Sequence, residues 1–194
     1  MGTPEELIRM MEHDQLDIIY ILDAPRWSES WVKAMETAEP VVFVASPAFW
    51  AQKYAECEKN GTVKWSTKTV GQEEISVRQI TLDQILQEPF FLTEKHANYR
   101  QALDQHLASC RCCLSPVLEI SDTAFIIQML EQSRGLSFLP LFAVQKQIWE
   151  GTLAAVEVDD VEISMYRQIF YHKNKFRTRE MEQFIIFASE EENH

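Results

Sequence analysis

Thr93-Glu94-Lys95-His96-Ala97-Asn98 groups a hydroxyl, an ammonium, an imidazole and an amide within six residues. The segment lies between an apolar run, Pro89-Phe90-Phe91-Leu92, and an amphipathic stretch marked by Tyr99, Ala102, Leu103, His106 and Leu107. That order predicts a strand, a short polar loop and a helix start. Backbone N–H groups at a helix start favour negative charge, so Thr93, Lys95, His96 and Asn98 around one would suit a small anion. An ordinary βα loop with a cap residue accounts for the same pattern. Cys110, Cys112 and Cys113 form a second reactive cluster, with Cys57 apart from them. They read as free thiols: no second Cys-x-x-Cys or His-x-x-x-His pair accompanies them, and Cys57 or His106 could complete a zinc set only through the tertiary fold. No metal site and no cofactor is expected. His106 reads as a packed or boundary histidine on the apolar stripe of its helix.

Enzyme signatures are missing. There is no Gly-x-Gly-x-x-Gly, Walker loop, Gly-x-Ser-x-Gly or His-Glu-x-x-His. Carboxylates such as Asp17, Glu94 and Glu119 are present without a recognisable pairing. No catalytic residue is assigned.

The elements that must hold these residues follow from periodicity and punctuation. Thr3-Pro4-Glu5-Glu6 opens a helix, with Thr as cap, Pro in the first position and acids in the first turn. Leu16 to Leu22 reads as a buried parallel strand and Val41 to Ala45 as a second one, while Trp27 to Ala38 is ambiguous. Ser46-Pro47 signals another helix. Residues 56–74 are polar and read as a surface loop or short hairpin. Thr81 and Gln84 have capping-box spacing. Further strands are expected at Val117–Ile120, Leu136–Leu139, Leu153–Val158 and Ile163–His172. Helices are expected at Asp122–Ser133, after Pro140 and around Met181–Ala188, with Gly135 closing the first of these. Alternation of this kind implies a mostly parallel sheet flanked by helices.

The chain has 194 residues, 46% of them hydrophobic, and a formal charge of −12. Such an acidic chain repels phosphate backbones, which disfavours a nucleic-acid surface within it. No apolar run approaches the ~20 residues of a membrane span, and the N-terminus lacks the apolar core of a signal peptide. A cytoplasmic protein with no membrane association is expected.

Several of these segments resemble the effector-binding domain of LysR-type transcriptional regulators. Pro89-Phe90-Phe91-Leu92-Thr93-Glu94 with Tyr99-Arg100 is similar to that family's Pro-hydrophobic-Leu-x-Glu stretch and the Arg that follows it. Gly135-Leu136-Ser137-Phe138-Leu139-Pro140 matches its most specific signature. Leu16-Asp17-Ile18-Ile19, Val41 to Pro47 and Leu118 to Thr123 resemble further family segments, in the same order over roughly residues 3–187.

The resemblance implies an α/β, two-lobed fold of the type 2 periplasmic-binding-protein kind. Lobe I would be 1–74 with 162–194, and lobe II 75–161. A small-molecule effector, an anion or carboxylate, would bind between lobes. Its contacts, carried over by position, would be Thr3, Ser46, Thr93, Lys95, His96, Asn98, Ser121 and Thr123. DNA would be bound only through a helix-turn-helix domain outside these residues, in a homodimer or homotetramer. The β-α-β unit that opens lobe I in the family is expected ahead of Gly2. The 95–98 loop, Lys-His-Ala-Asn, lacks the reactive cysteine of peroxide-sensing members. The alternatives are a solute-binding protein of the same fold and a small enzyme acting on carboxylic acids.

Overall fold

The computed structural model describes residues 2–52, 64–70, 73–159, 161 and 163–190. Cys57 lies outside them. The chain divides into two compact units: unit 1 is Met1–Glu39 with Ser164–His194, and unit 2 is Pro40–Ile163. The first crossing therefore falls at Glu39/Pro40, well before the 74/75 boundary read from the sequence. The reason is one long strand. Residues expected to be split between an ambiguous stretch and a short strand form a single 15-residue strand, Trp31–Ala45, whose two halves belong to different units.

In unit 1, helix α1 (Pro4–Glu12) leads to β1 (Ile19–Asp23), and β9 (Ser164–His172) to α7 (Arg179–Glu190). β1 pairs antiparallel with β9, and β9 neighbours β2 (Trp31–Ala45). The parallel placement expected for the Leu16–Leu22 run is thus corrected. β1 begins only at Ile19 and alternates, with Ile19 and Ile21 buried and Tyr20 41% exposed. Ile19, Ile21, Met11 and Phe170 form a small core, with Leu7, Ile8, Leu16 and Trp31 packed on it.

Unit 2 holds a helical turn α2 (47–52), then β3 (Lys64–Val70), β4 (Glu73–Ile80) and α3 (Leu82–Ile85). β5 (Phe91–Leu92), α4 (Asn98–Ser109), β6 (Leu118–Glu119), α5 (Thr123–Glu131), β7 (Leu136–Pro140), α6 (Leu141–Trp149) and β8 (Ala154–Val158) follow. Pairing is mixed, not mostly parallel. β2 runs antiparallel to both β7 and β8, and β3 and β4 form a hairpin, while β4/β8 and β5/β6 are parallel and Phe90 bridges Leu136 in parallel. Strand–helix alternation creates the parallel pairs, and the reversed crossing strand and the β3/β4 hairpin supply the antiparallel ones.

Two buried clusters cover the faces of the unit 2 sheet. Phe43, Phe49, Trp50, Phe90, Leu103 and Phe138 belong to one, and Val44, Phe91, Ile126, Leu130 and Leu139 to the other. Alternation along β5 and β7 sends neighbours to opposite clusters, as strand geometry requires.

Gly135 serves a different purpose from the one its position suggests. The left-handed residue after α5 is Ser133, at φ 57°. Gly135 instead lets β7 approach the preceding chain: a Cβ there would sit 2.3 Å from the Pro89 carbonyl oxygen, which accepts the Leu136 N–H at 2.9 Å.

Candidate functional site

Strand directions decide which candidate residues can meet. β5 and β6 run in parallel, and the Phe90–Leu136 bridge sets β7 parallel to them. Their carboxyl ends therefore share one edge of the unit 2 sheet. Thr93 leaves β5 there, Ser121 leaves β6 after Ile120, and Pro140 ends β7. Helices α4, α5 and α6 open from the same edge, where ligands of α/β sheets commonly bind.

Thr93, Lys95, His96, Asn98, Ser121 and Thr123 all belong to this edge. Lys95, His96 and Ser121 are exposed, Asn98 and Thr123 are half-buried, and Thr93 is only 4% exposed. The loop between Thr93 and α4 is a tight turn, with the Ala97 N–H donating to the Glu94 carbonyl at 3.0 Å.

Ser46 is not brought to this edge, and Thr3 lies in the other unit. Thr3 belongs to unit 1 and caps α1: its Oγ1 accepts the Glu6 N–H, and Glu6 accepts the Thr3 N–H at 3.0 Å. Ser46 follows Ala45, which pairs with Leu136 at the start of β7, so it stands at the opposite edge of the sheet. There its Oγ accepts the Phe49 N–H at 3.1 Å and shares a 2.8 Å hydrogen bond with Ser133. A hydroxyl before a helix looks alike in sequence at either edge; only strand direction separates them.

Helix starts at the carboxyl edge are not equivalent. Asp122 caps α5 by accepting the Phe125 N–H at 3.1 Å. Asp122 thus takes the cap position, flanked by Ser121 and Thr123. The N-cap of α4 is Ala97, and no side chain caps that helix. An alanine there forgoes about 1 kcal/mol that Ser, Asn or Asp would supply. Ala97 therefore contributes no side-chain oxygen to offset the dipole at the start of α4.

What holds this start in place is Arg100, buried to 2% exposure one residue beyond Tyr99. Its Nε donates to both Asp104 carboxylate oxygens at 3.0 and 3.1 Å. Its Nη1 donates to the Thr93 carbonyl at 3.1 Å and to Glu119 Oε2 at 3.4 Å. One guanidinium thus ties α4, the end of β5 and the end of β6 together, which its rigid fork of donors suits. The sequence shows only the Arg100/Asp104 helical spacing; Glu119 and the Thr93 carbonyl join through the fold.

Thr93 Oγ1 is enclosed and lacks a hydrogen bond of full geometry. The Tyr99 hydroxyl is the polar group that approaches it, and burial raises the Tyr99 phenol above its ordinary pKa of 10.0 while Thr93 opposes that rise. Tyr99 also packs against both core clusters. The edge therefore presents a buried hydroxyl, a phenol that stays neutral, and an uncapped helix start with a lysine and a histidine beside it. This inventory can bind an anion or a polar small molecule. Among the described residues no group of three His, Cys, Asp or Glu converges as a metal cage, and no helix is long and apolar enough to cross a membrane.

Comparisons with known proteins bear on this geometry. A family model described as the LysR substrate binding domain matches residues 73–192, more than half of the chain. The HTH-type transcriptional activator CmpR of Synechocystis sp. is 24% identical over 119 residues, covering 60% of this chain. The chain spans 39% of that relative's length. Among solved structures, the regulatory domain of CcmR from Synechocystis in complex with 2-PG aligns with a TM-score of 0.65 at 14% identity, covering 100% of this chain and 81% of that one. The effector-binding domain of QuiR in complex with shikimate aligns with a TM-score of 0.63 at 11% identity, covering 96% and 77%. Full-length HypT from Salmonella typhimurium, a hypochlorite-specific LysR-type regulator, aligns with a TM-score of 0.66 at 13% identity, covering 96% and 55%. These likenesses establish the periplasmic-binding-protein-like fold of such domains.

Proposed function

The chain belongs to the LysR substrate-binding-domain family, and from that premise we propose that it is the effector-binding part of a LysR-type transcriptional regulator. The carboxyl edge of unit 2 supplies effector contacts, and the effector is a small anion or carboxylate. The observation that carries this reading is the enclosed Thr93 hydroxyl beside a helix start that no side chain caps. A carboxylate would accept from such donors and gain from the helix dipole. Lys95 and His96 add positive charge at the rim. Thr93, Asn98 and Tyr99 are the direct contacts in this reading, Ser121 and Thr123 lie farther along the edge, and Arg100 is a positioning residue.

Support comes also from the relatives: QuiR is described with shikimate, CcmR with 2-PG, and CmpR as an HTH-type activator. DNA contact is assigned to a helix-turn-helix domain outside these residues, in keeping with the −12 charge of this chain. The assembled regulator is an oligomer working in the cytoplasm, and the chain recognises its ligand without turning it over.

A thermal-shift screen of small carboxylates, shikimate included, tests the reading. A ligand at a hundredfold its Kd stabilises the folded chain by about 2.7 kcal/mol. The expected result is a stabilising acid whose Kd rises about tenfold in Thr93→Ala, a change of about 1.4 kcal/mol, while the variant keeps its circular dichroism. A panel with no stabilising acid, or equal affinity in Thr93→Ala, overturns the reading.

A further inference from the structure

The far end of α4 gathers ligating side chains that the effector edge does not use. Cys110 follows the last helical residue, and its N–H returns to the His106 carbonyl at 3.2 Å. The chain then reverses in a Schellman turn. Arg111 adopts the left-handed conformation at φ 58°, its N–H bonds the Ala108 carbonyl at 3.0 Å, and the Cys112 N–H bonds the Leu107 carbonyl at 2.8 Å. This turn places the three thiols differently. Cys112 is half-buried, packs against the core and points its S–H at the Cys110 carbonyl at 3.6 Å. Cys110 and Cys113 stay exposed on either side of the turn. One helical turn earlier, His106 Nε2 lies 3.9 Å from Cys110 Sγ.

We propose that His106, Cys110 and Cys113 form a binding site for a thiophilic divalent cation of the zinc type. Read in order they are a His-x-x-x-Cys-x-x-Cys set, in which i,i+4 spacing aligns the first pair on one helix face and Cys-x-x-Cys spans a tight turn. A tetrahedral ion with ordinary Zn–S and Zn–N bonds holds a sulfur and a nitrogen about 3.6 Å apart. The observed 3.9 Å needs little adjustment. Position favours a cation as well, because a helix carboxyl terminus is the negative end of its dipole and the whole chain carries −12. Among the described residues no three ligating groups yet converge. Cys113, exposed three residues beyond Cys110, is assigned as the third ligand, and solvent takes the fourth position. Binding exchanges two thiol protons for the ion, so two thiolates and a neutral imidazole hold the metal and up to two protons are released.

The test is titration of the reduced chain with Co2+, followed by displacement with Zn2+. The expected result is one ion per chain, a thiolate-to-cobalt charge-transfer band, visible bands of tetrahedral cobalt, and bleaching by Zn2+. His106→Gln, Cys110→Ser and Cys113→Ser should each weaken binding about tenfold or more, since even altered outer-shell partners cost 10–100-fold. Cys112→Ser and Cys57→Ser should leave affinity unchanged. A spectrum without thiolate charge transfer overturns the proposal, as does unchanged affinity in Cys110→Ser or loss of the site in Cys57→Ser. If a cysteine variant fails to fold, His106→Gln, at a half-buried surface position, decides the matter.

Discussion

Helices α1 and α4 begin with different residues and end up with different capacities. α1 opens under Thr3 with a reciprocal capping box and Pro4 in its first turn. Thr3 and Glu6 spend their polar atoms on each other. α4 opens under Ala97 with no side-chain cap, beside an enclosed Thr93 hydroxyl, and is fixed by a buried arginine instead of a local cap. A helix start becomes available to a ligand when its stability comes from elsewhere, here from Arg100, and not from its own first turn.

The strongest way to break this contrast is to remove the clamp. Arg100→Met keeps the apolar stem but deletes the donors to Thr93, Asp104 and Glu119, and should cost roughly 3 kcal/mol of stability in urea unfolding. Carboxylate binding should disappear with it. An unaltered denaturation midpoint would mean the guanidinium does not hold the edge.

The contrast can also be reversed. Ala97→Asp supplies the missing cap and puts a carboxylate where the effector's charge would go. It should stabilise the chain by about 0.5–1 kcal/mol and weaken a carboxylate ligand roughly tenfold. Stability and affinity moving in the same direction would argue against an anion at α4.

A smaller effect is expected at the other helix. Thr3→Ala should lower stability by about 1 kcal/mol, through loss of the capping box, and leave ligand affinity unchanged. Calorimetric titration beside thermal melts separates the two; a weakened ligand would place Thr3 in the site.

The smallest effect concerns pH. The folded Tyr99 phenol holds its proton above the ordinary value of 10.0, mainly because of burial. Above pH 10 the unfolded chain therefore binds fewer protons than the folded one, so stability declines as pH rises through the folded pKa and is complete below 10. Tyr99→Phe should remove that part of the alkaline decline in urea midpoints. An identical alkaline profile in the variant would show that Tyr99 is not shielded.

Particular residues show how far the sequence could be read. Thr93 to Asn98 was legible as a polar loop between strand and helix, because apolar runs and helical spacing bracket it on both sides. Thr3 was legible as a cap. Its relation to a ligand was not legible, because a hydroxyl before a helix carries no information about which edge of which sheet it occupies. The edge at which Ser46 stands was hidden for the same reason: it is set by the antiparallel pairing of β2 with β7. Arg100 showed only its helical partner Asp104, since Glu119 and the Thr93 carbonyl come from separate strands. Gly135 was legible as special, but its purpose, clearance for the Pro89 carbonyl, exists only once β7 lies beside the preceding chain.

Local rules are properties of neighbours along the chain. The Thr3 cap, the helical stripes and the charge were therefore settled by the sequence alone, as was the likeness of its ordered motifs to the LysR family. Strand direction, the reach of one guanidinium across three elements, the enclosure of Thr93 and the 3.9 Å approach of His106 to Cys110 depend on non-local pairing and on the path of each turn in space. Only the tertiary structure decided those.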